Sequence, residues 1–352
     1  MTIYNMQKPR NIIFTLSALA LVATGTGLFI SAPLARAQLS AVPDPVQYTV
    51  APETPGPGQT VTISVEGVGS FLGDASITWW QNGKVALSGA GASDFSFTAG
   101  ALGVQTRVQV QIVSSQGTFT HDFVFLPSLV NLVWEADTSA PPLYRGKSLY
   151  SAGSNLKVVA FPIVFVNGSR VAPGSLSMQW SRNDELVPNQ SGLGRTVFSF
   201  TGDQLQPQES VAVDVYYGAS KLAQGEITIP VSQPSVLLYN KDPLRGVLFD
   251  TALPSAISLS SKELTIQAAP YFFANSSLKS GALVYSWTLN GEAASGPESA
   301  KGRLTLRQAG RGQGAATVGV TLQNNDSDKL VQAAQAALQI VFGQAQSSLF
   351  GL

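Results

Sequence analysis

The stretch Ile77-Thr78-Trp79-Trp80-Gln81-Asn82-Gly83-Lys84 places two adjacent tryptophans just ahead of a turn signal, in a chain that has only five. The arrangement returns in Met178-Gln179-Trp180-Ser181-Arg182-Asn183-Asp184-Glu185 and again in Tyr285-Ser286-Trp287-Thr288-Leu289-Asn290-Gly291-Glu292. Trp79, Trp180 and Trp287 therefore share the pattern Trp-x-x-Asn-(Gly/Asp), at intervals of 101 and 107 residues. Such intervals are too long for a solenoid repeat and suit one small domain each.

Alternation identifies these units as β-structure. In Thr60-Val61-Thr62-Ile63-Ser64-Val65 the apolar residues take one face and the hydroxyls the other, which is a half-buried strand. Pro55 to Gln59 form the turn before it; Ala75 to Trp80, the Asn82-Gly83 turn and Lys84 to Leu87 form a hairpin after it. With Val46 to Val50, Asp94 to Thr98, Arg107 to Val113 and Thr118 to Phe125, the first unit has the strands of a sandwich. Ile77 and Trp79 share a face, so Trp79 is expected in the core and Trp80 on the opposite side, facing solvent or a neighbouring domain. By repetition Trp180 and Trp287 are expected core residues too, whereas Ser181 and Thr288 stand where Trp80 does.

The second and third units resemble each other further. Leu143-Tyr144-Arg145-Gly146 answers Pro243-Leu244-Arg245-Gly246, and the strand Leu156 to Pro162 answers Leu264 to Pro270. Proline interrupts the strands at Leu126-Pro127-Ser128 and Ser232-Gln233-Pro234. These breaks define domains at 38–127, 128–233 and 234–343, joined by short linkers that favour a semi-rigid rod. Val331 to Ala337 has helical composition, but its place in the repeat and the alternation of Leu338, Ile340 and Phe342 predict a strand. Residues 344–352 are expected to be a flexible tail.

At the N-terminus, Lys8 and Arg10, an apolar run from Ile12 to about Ile30, and Ala35-Arg36-Ala37 predict a secretory signal peptide over residues 1–37. The run is long enough to cross a bilayer, so an uncleaved anchor is the alternative and the one route to membrane contact. The rest of the chain is expected outside the cytoplasm, secreted or at the cell surface. Charged residues make up only 12% of the chain, 21 basic against 21 acidic with no like-charge block, which excludes nucleic acid as an expected partner. The absence of cysteine removes disulfides and thiolate chemistry.

A tandem of β-domains about a hundred residues long with this tryptophan motif and a Pro-Gly-Gln-Thr-Val-Thr-Ile opening resembles the Ig-like and PKD-like modules of exported bacterial surface proteins. The resemblance implies an all-β chain of three tandem β-sandwiches behind an N-terminal signal helix, used as spacers or binding units.

Few residues suggest chemistry. His121 shares parity with Phe119 and Phe123; the choice is between a general base and a semi-buried strand histidine bonded to backbone, and no Gly-x-Ser-x-Gly elbow accompanies it. Asp326 and Asp328 alternate as in a calcium loop but lack its glycine and its glutamate, so a solvated hairpin turn is expected, with the pair as weak metal candidates. The glycine clusters at 67–73 and 310–314 precede no helix and are loops. Asn167-Gly168-Ser169 and Asn275-Ser276-Ser277 match glycosylation acceptors and mark surface turns. No cofactor is expected and no enzyme. Trp80, Tyr216, Tyr217 and the run Tyr271-Phe272-Phe273 offer rings for a partner or for packing between domains. The expected partners are other envelope or surface proteins, with glycans stacked on Trp80 as the alternative.

Overall fold

The computed structural model describes residues 46–67, 72–259, 261–310, 313–329 and 331–343. The expected signal segment and C-terminal tail lie outside the described residues, as do parts of both glycine clusters.

The first sandwich comprises β1 (Val46–Ala51), β2 (Thr60–Gly67), β3 (Ser76–Gln81), β4 (Lys84–Ala90), β5 (Asp94–Thr98), β6 (Thr106–Ser114) and β7 (Gly117–Phe125). They form two antiparallel sheets, β1-β2-β5 and β4-β3-β6-β7. Period-two patterning sends Val61, Ile63 and Val65 from one sheet, and Ile77, Trp79, Val108, Val110 and Ile112 from the other, into one shared core.

In the second sandwich β8 (Leu129–Ala136), β9 (Asn155–Ile163) and β15 (Val197–Thr201) make one sheet. The other is β12 (Ser177–Arg182), β16 (Gln208–Tyr217) and β17 (Ser220–Pro230), edged by the two-residue β13 (Glu185–Leu186) and β14 (Gly192–Leu193). A small hairpin, β10 (Phe165–Val166) with β11 (Ser169–Arg170), carries the Asn167-Gly168 turn. The third sandwich sets β18 (Ser235–Asp242), β19 (Gly246–Val247), β21 (Glu263–Tyr271) and β24 (Arg303–Arg307) against a second sheet. That sheet contains β20 (Ala256–Leu259), β22 (Leu283–Leu289), β23 (Glu292–Ala294), β25 (Gly314–Asn324) and β26 (Ala333–Phe342). The chain is thus all-β, three tandem Ig-like sandwiches with separate cores.

Two elements depart from the sequence reading. The segment beginning at Asn275 is a short helix, α1 (Asn275–Ser280), rather than an open surface turn, and it closes on Gly281 in the left-handed region. Strand β20 runs parallel to β26, a pairing with no alternation signal of its own because it is four residues long. β26 itself is a strand despite its alanines, since ten consecutive pairs with β25 outweigh the helical propensity of an isolated segment.

The repeated motif has a common geometry. Each indole is buried and donates its Nε1 hydrogen to a loop carbonyl: Trp79 to Ala92 at 2.8 Å, Trp180 to Arg195 at 2.7 Å and Trp287 to Ser299 at 3.2 Å. The loop is the one that crosses to the opposite sheet. Trp79 stacks on Phe95 at 5.3 Å and Trp180 on Phe198 at 5.4 Å between ring centroids; Leu304 takes the matching strand position in the third core. Three residues on, the asparagines sit at φ of 50°, 50° and 53°, each followed by another positive-φ residue, as a tight hairpin demands. Each side-chain oxygen also accepts a backbone N–H near the start of the next core strand, at Arg107 (2.9 Å), Ser210 (2.9 Å) and Thr317 (2.8 Å).

Truncating Trp287 to Ala should cost about 3–5 kcal/mol in urea unfolding of the third sandwich. At Asn290 the same measurement separates two effects. Asn290→Gly loses one hydrogen bond, about 1 kcal/mol; Asn290→Ala adds left-handed strain of about 1–2 kcal/mol and should be the less stable of the two.

Candidate functional site

The side chains considered for chemistry are engaged structurally. His121 is exposed on the edge strand β7, where the inner face opens at the side of the sandwich, and it stacks on Tyr48 at 4.5 Å and meets Phe123 at 4.6 Å. This corrects the expectation of a semi-buried, backbone-bonded histidine. Asp326 accepts the Lys329 Nζ at 2.6 Å and the Asp328 N–H at 3.2 Å. The bond from Lys329, then the Asp328 N–H, hold its carboxyl below the usual carboxylate range. The segment is the turn of the β25–β26 hairpin, with Ser327 and Asp328 exposed. It makes a 3₁₀ turn packed on the second sandwich, where a Cβ on Gly153 would stand 2.7 Å from the Asp328 carbonyl oxygen. Among the described residues no group of three or more His, Asp and Glu is placed to hold a metal.

The most extensive constellation joins the second and third sandwiches. Ser139 exchanges backbone hydrogen bonds with Phe272 and Phe273, both 2.7 Å, and its hydroxyl donates to the Pro270 carbonyl at 3.1 Å. Asn275 donates through its backbone to the Asp137 carbonyl and through its side chain to the Asp137 carboxylate at 2.8 Å. Gln332, 1% exposed, is the hub. Its amide donates to Ser151 Oγ and the Ala152 carbonyl; its oxygen accepts from the Ala274 N–H and Asn324 Nδ2. The rings of Tyr271 and Phe273, offered above for a partner or for packing between domains, are buried here: the Tyr271 and Tyr239 hydroxyls bond each other, and Tyr144 meets Tyr271 and Phe272 edge-on. Burial, then the Tyr271 bond, pushes the Tyr239 hydroxyl pKa up. The first and second sandwiches meet more sparingly among the described residues, through the Phe165 ring against Gly103, whose N–H also holds the Pro127 carbonyl at the end of the first sandwich at 3.0 Å.

Beside that joint lies a buried ion pair. Glu209 has no exposed side-chain surface and receives both Arg182 Nε and Nη2 at 2.8 Å, Asn183 Nδ2 at 3.1 Å, the Asp203 N–H at 2.7 Å and the Tyr150 hydroxyl at 3.1 Å. Burial pushes its carboxyl pKa up, but the Arg182 bonds and the Asp203 N–H outweigh this and hold it below the usual range. Tyr150 is pushed upward, by burial first and then by the Glu209 charge. A Cβ on Gly202 would fall 1.9 Å from the Tyr150 hydroxyl, so glycine is required where the loop crosses.

Of the proposed partner-binding residues, Trp80 is half-buried on the outer face of β3, between Val85 of β4 and Gln109 of β6. Gln109 donates to Asp122 at 2.9 Å, completing a row of one indole, one amide and one carboxylate across three strands. Tyr216 is half-buried and Tyr217 exposed at the end of β16, beside the Lys221–Asp214 ion pair at 2.9 Å. Trp80 and this tyrosine pair lie on different sandwiches and form no common site. Sequence reasoning missed Gln332, Glu209, Ser139 and Trp134, whose ring carries Lys147 Nζ 3.1 Å from its centroid. None lies in a repeated motif.

No family model matches the chain, and no curated protein matches it. Solved structures similar to it include three N-terminal domains of the bacteriophage RB49 outer capsid protein Hoc, at 12% identity and a TM-score of 0.24 over 86% of this chain and 99% of that one. The central fibronectin-III array of RIM-binding protein is 12% identical over 86% and 98%, with a TM-score of 0.27. Fibronectin(III)-like modules of Clostridium thermocellum CbhA are 14% identical over 53% and 95%, at 0.25. Superpositions this loose carry no argument about function, and the fold rests on the sheets themselves.

The joint and the ion pair yield separate outcomes. Gln332→Ala leaves buried partners unsatisfied at a cost of about 1–3 kcal/mol, and calorimetry should then resolve the second and third sandwiches into two transitions. Because the folded-state pKa of Glu209 is depressed, its contribution is present above the ordinary glutamate value of about 4.3 and is lost as pH falls through the lower folded value. Glu209→Gln should remove that acid sensitivity in melting curves and cost about 3–5 kcal/mol at neutral pH.

Proposed function

We propose that this chain is a non-enzymatic modular scaffold, exported by a bacterium and held at its envelope or released, in which the joined second and third sandwiches form a stiff base that presents the first. The observation that carries this is the buried joint. Gln332, Ser139 and Asn275 fasten the second sandwich to the third directionally, whereas Gly103 and Phe165 supply a far smaller contact to the first. Buried hydrogen bonds specify one geometry, which a spacer needs and a loose linker does not provide. Its partners would be other envelope or surface proteins. The Ig-like and PKD-like surface modules that the sequence resembles are used as spacers or binding units. The carboxylates near the joint support the non-enzymatic reading, since Glu209 and Asp326 are each neutralised by a fixed cation rather than aimed at open space.

A second reading has its own support in the Trp80 row. An indole face flanked by an amide and a carboxylate can stack on a sugar ring and bond its hydroxyls. A cell-wall and glycan pull-down separates the two. The scaffold reading expects fractionation with the envelope or medium and capture unchanged by Trp80→Ala. Glycan retention lost in that variant would establish the second reading instead, and a cytoplasmic location would remove both.

A further inference from the structure

The chain has three Asn-Gly pairs, Asn82-Gly83, Asn167-Gly168 and Asn290-Gly291. All three are exposed, and all three fill two-residue hairpin turns with both residues at positive φ. An asparagine followed by glycine carries a latent reaction, because glycine has no side chain to shield its backbone nitrogen from the neighbouring amide. The side-chain amide carbon is the electrophile and the glycine nitrogen the nucleophile. Sequence and access to water are alike at the three turns, so only the hold on the asparagine side chain distinguishes them.

Asn82 and Asn290 are each locked twice to one residue of the next strand. The N–H of Asn82 donates to the Arg107 carbonyl at 2.8 Å while its side-chain oxygen accepts the Arg107 N–H at 2.9 Å; Asn290 makes the same pair of bonds with Thr317, both 2.8 Å. This ring of bonds fixes the side-chain torsion and holds the amide against β6 or β25, so its carbon reaches the glycine nitrogen only after both bonds open. Asn167 has no such lock. Among the described residues no hydrogen bond reaches its side chain, and β10 with β11 is a sheet of its own, with two paired positions. A hairpin that short opens readily.

We infer that Asn167 is a site of spontaneous modification, converting to aspartate and isoaspartate through a cyclic imide, while the fold protects Asn82 and Asn290. The Gly168 nitrogen bonds to the Asn167 side-chain carbon and gives its proton to solvent; the bond from that carbon to Nδ2 breaks and ammonia leaves. Water then adds to one of the two imide carbonyls, and the ring opens either to aspartate or to a backbone routed through the side chain. Both products replace a neutral amide by a carboxylate, and the isoaspartyl product lengthens the turn by a methylene. The change falls close to Phe165, whose ring lies against Gly103, so the modified turn adjoins the contact between the first two sandwiches.

Peptide mapping by mass spectrometry of the exported chain, aged in mildly alkaline buffer, tests this beside a sample aged in guanidinium chloride. Unfolded, each asparagine gives its own reference rate for the same Asn-Gly chemistry. Folded, Asn82 and Asn290 should be slowed relative to those references at least about tenfold more than Asn167, as expected when two hydrogen bonds must open first. Isoaspartate at Asn167, separated chromatographically from aspartate of equal mass, identifies the imide route, since direct hydrolysis of the amide gives aspartate alone. Equal protection of the three asparagines in the folded chain, or aspartate without isoaspartate, would overturn the inference.

Discussion

The structure depends on an indole N–H that reaches a carbonyl on the loop leaving its own sheet. A tryptophan filling the space between two sheets must satisfy its one polar hydrogen without water. Bonding Ala92, Arg195 or Ser299 does so and fixes where the chain crosses to the opposite sheet. The asparagine three residues on adds the second constraint, holding a left-handed turn while accepting a backbone N–H near the start of the neighbouring strand, at Arg107, Ser210 or Thr317. Together the two side chains tie the central hairpin, the crossing loop and the next core strand of each sandwich, and the rest of each core packs around them.

The three copies of this unit then diverge in how they use their margins. The second and third sandwiches devote theirs to each other, through Ser139, Asn275 and Gln332 and the rings around Tyr144. The buried Arg182–Glu209 pair stands next to this joint and anchors the loop from Thr201 to Pro207 through the Asp203 N–H. In the first sandwich Trp80 is half-buried on one sheet face, and no strand among the described residues pairs with the outer edge of β7. A shared core with divergent margins is how a repeated fold acquires separate tasks.

The strands, the hairpins and the inward side of Trp79, Trp180 and Trp287 were legible because each is written in local alternation and turn chemistry. His121 was misread because parity tells which face a residue takes, not whether that face is closed at the edge of a sandwich. The rings of Tyr271 and Phe273 were legible as material for packing between domains, whereas the Asn275 segment read as a surface turn, since nothing local announces that another domain will cover it. Asp326 and Asp328 lie in the hairpin turn that the sequence suggested, with Asp328 exposed, but the approach of its backbone to Gly153 carried no local signal.

The sequence by itself determined three all-β units, their order, and the side of the sheet to which each alternating residue points, because these follow from period-two geometry and from the φ preferences of asparagine and glycine. Only the tertiary structure decided which edges are covered, which polar side chains meet across a joint, and that Gln332 bonds residues some 180 positions earlier. Those outcomes depend on contacts between segments distant in the chain, whose partners carry no local pattern and are brought together only when whole sheets pack.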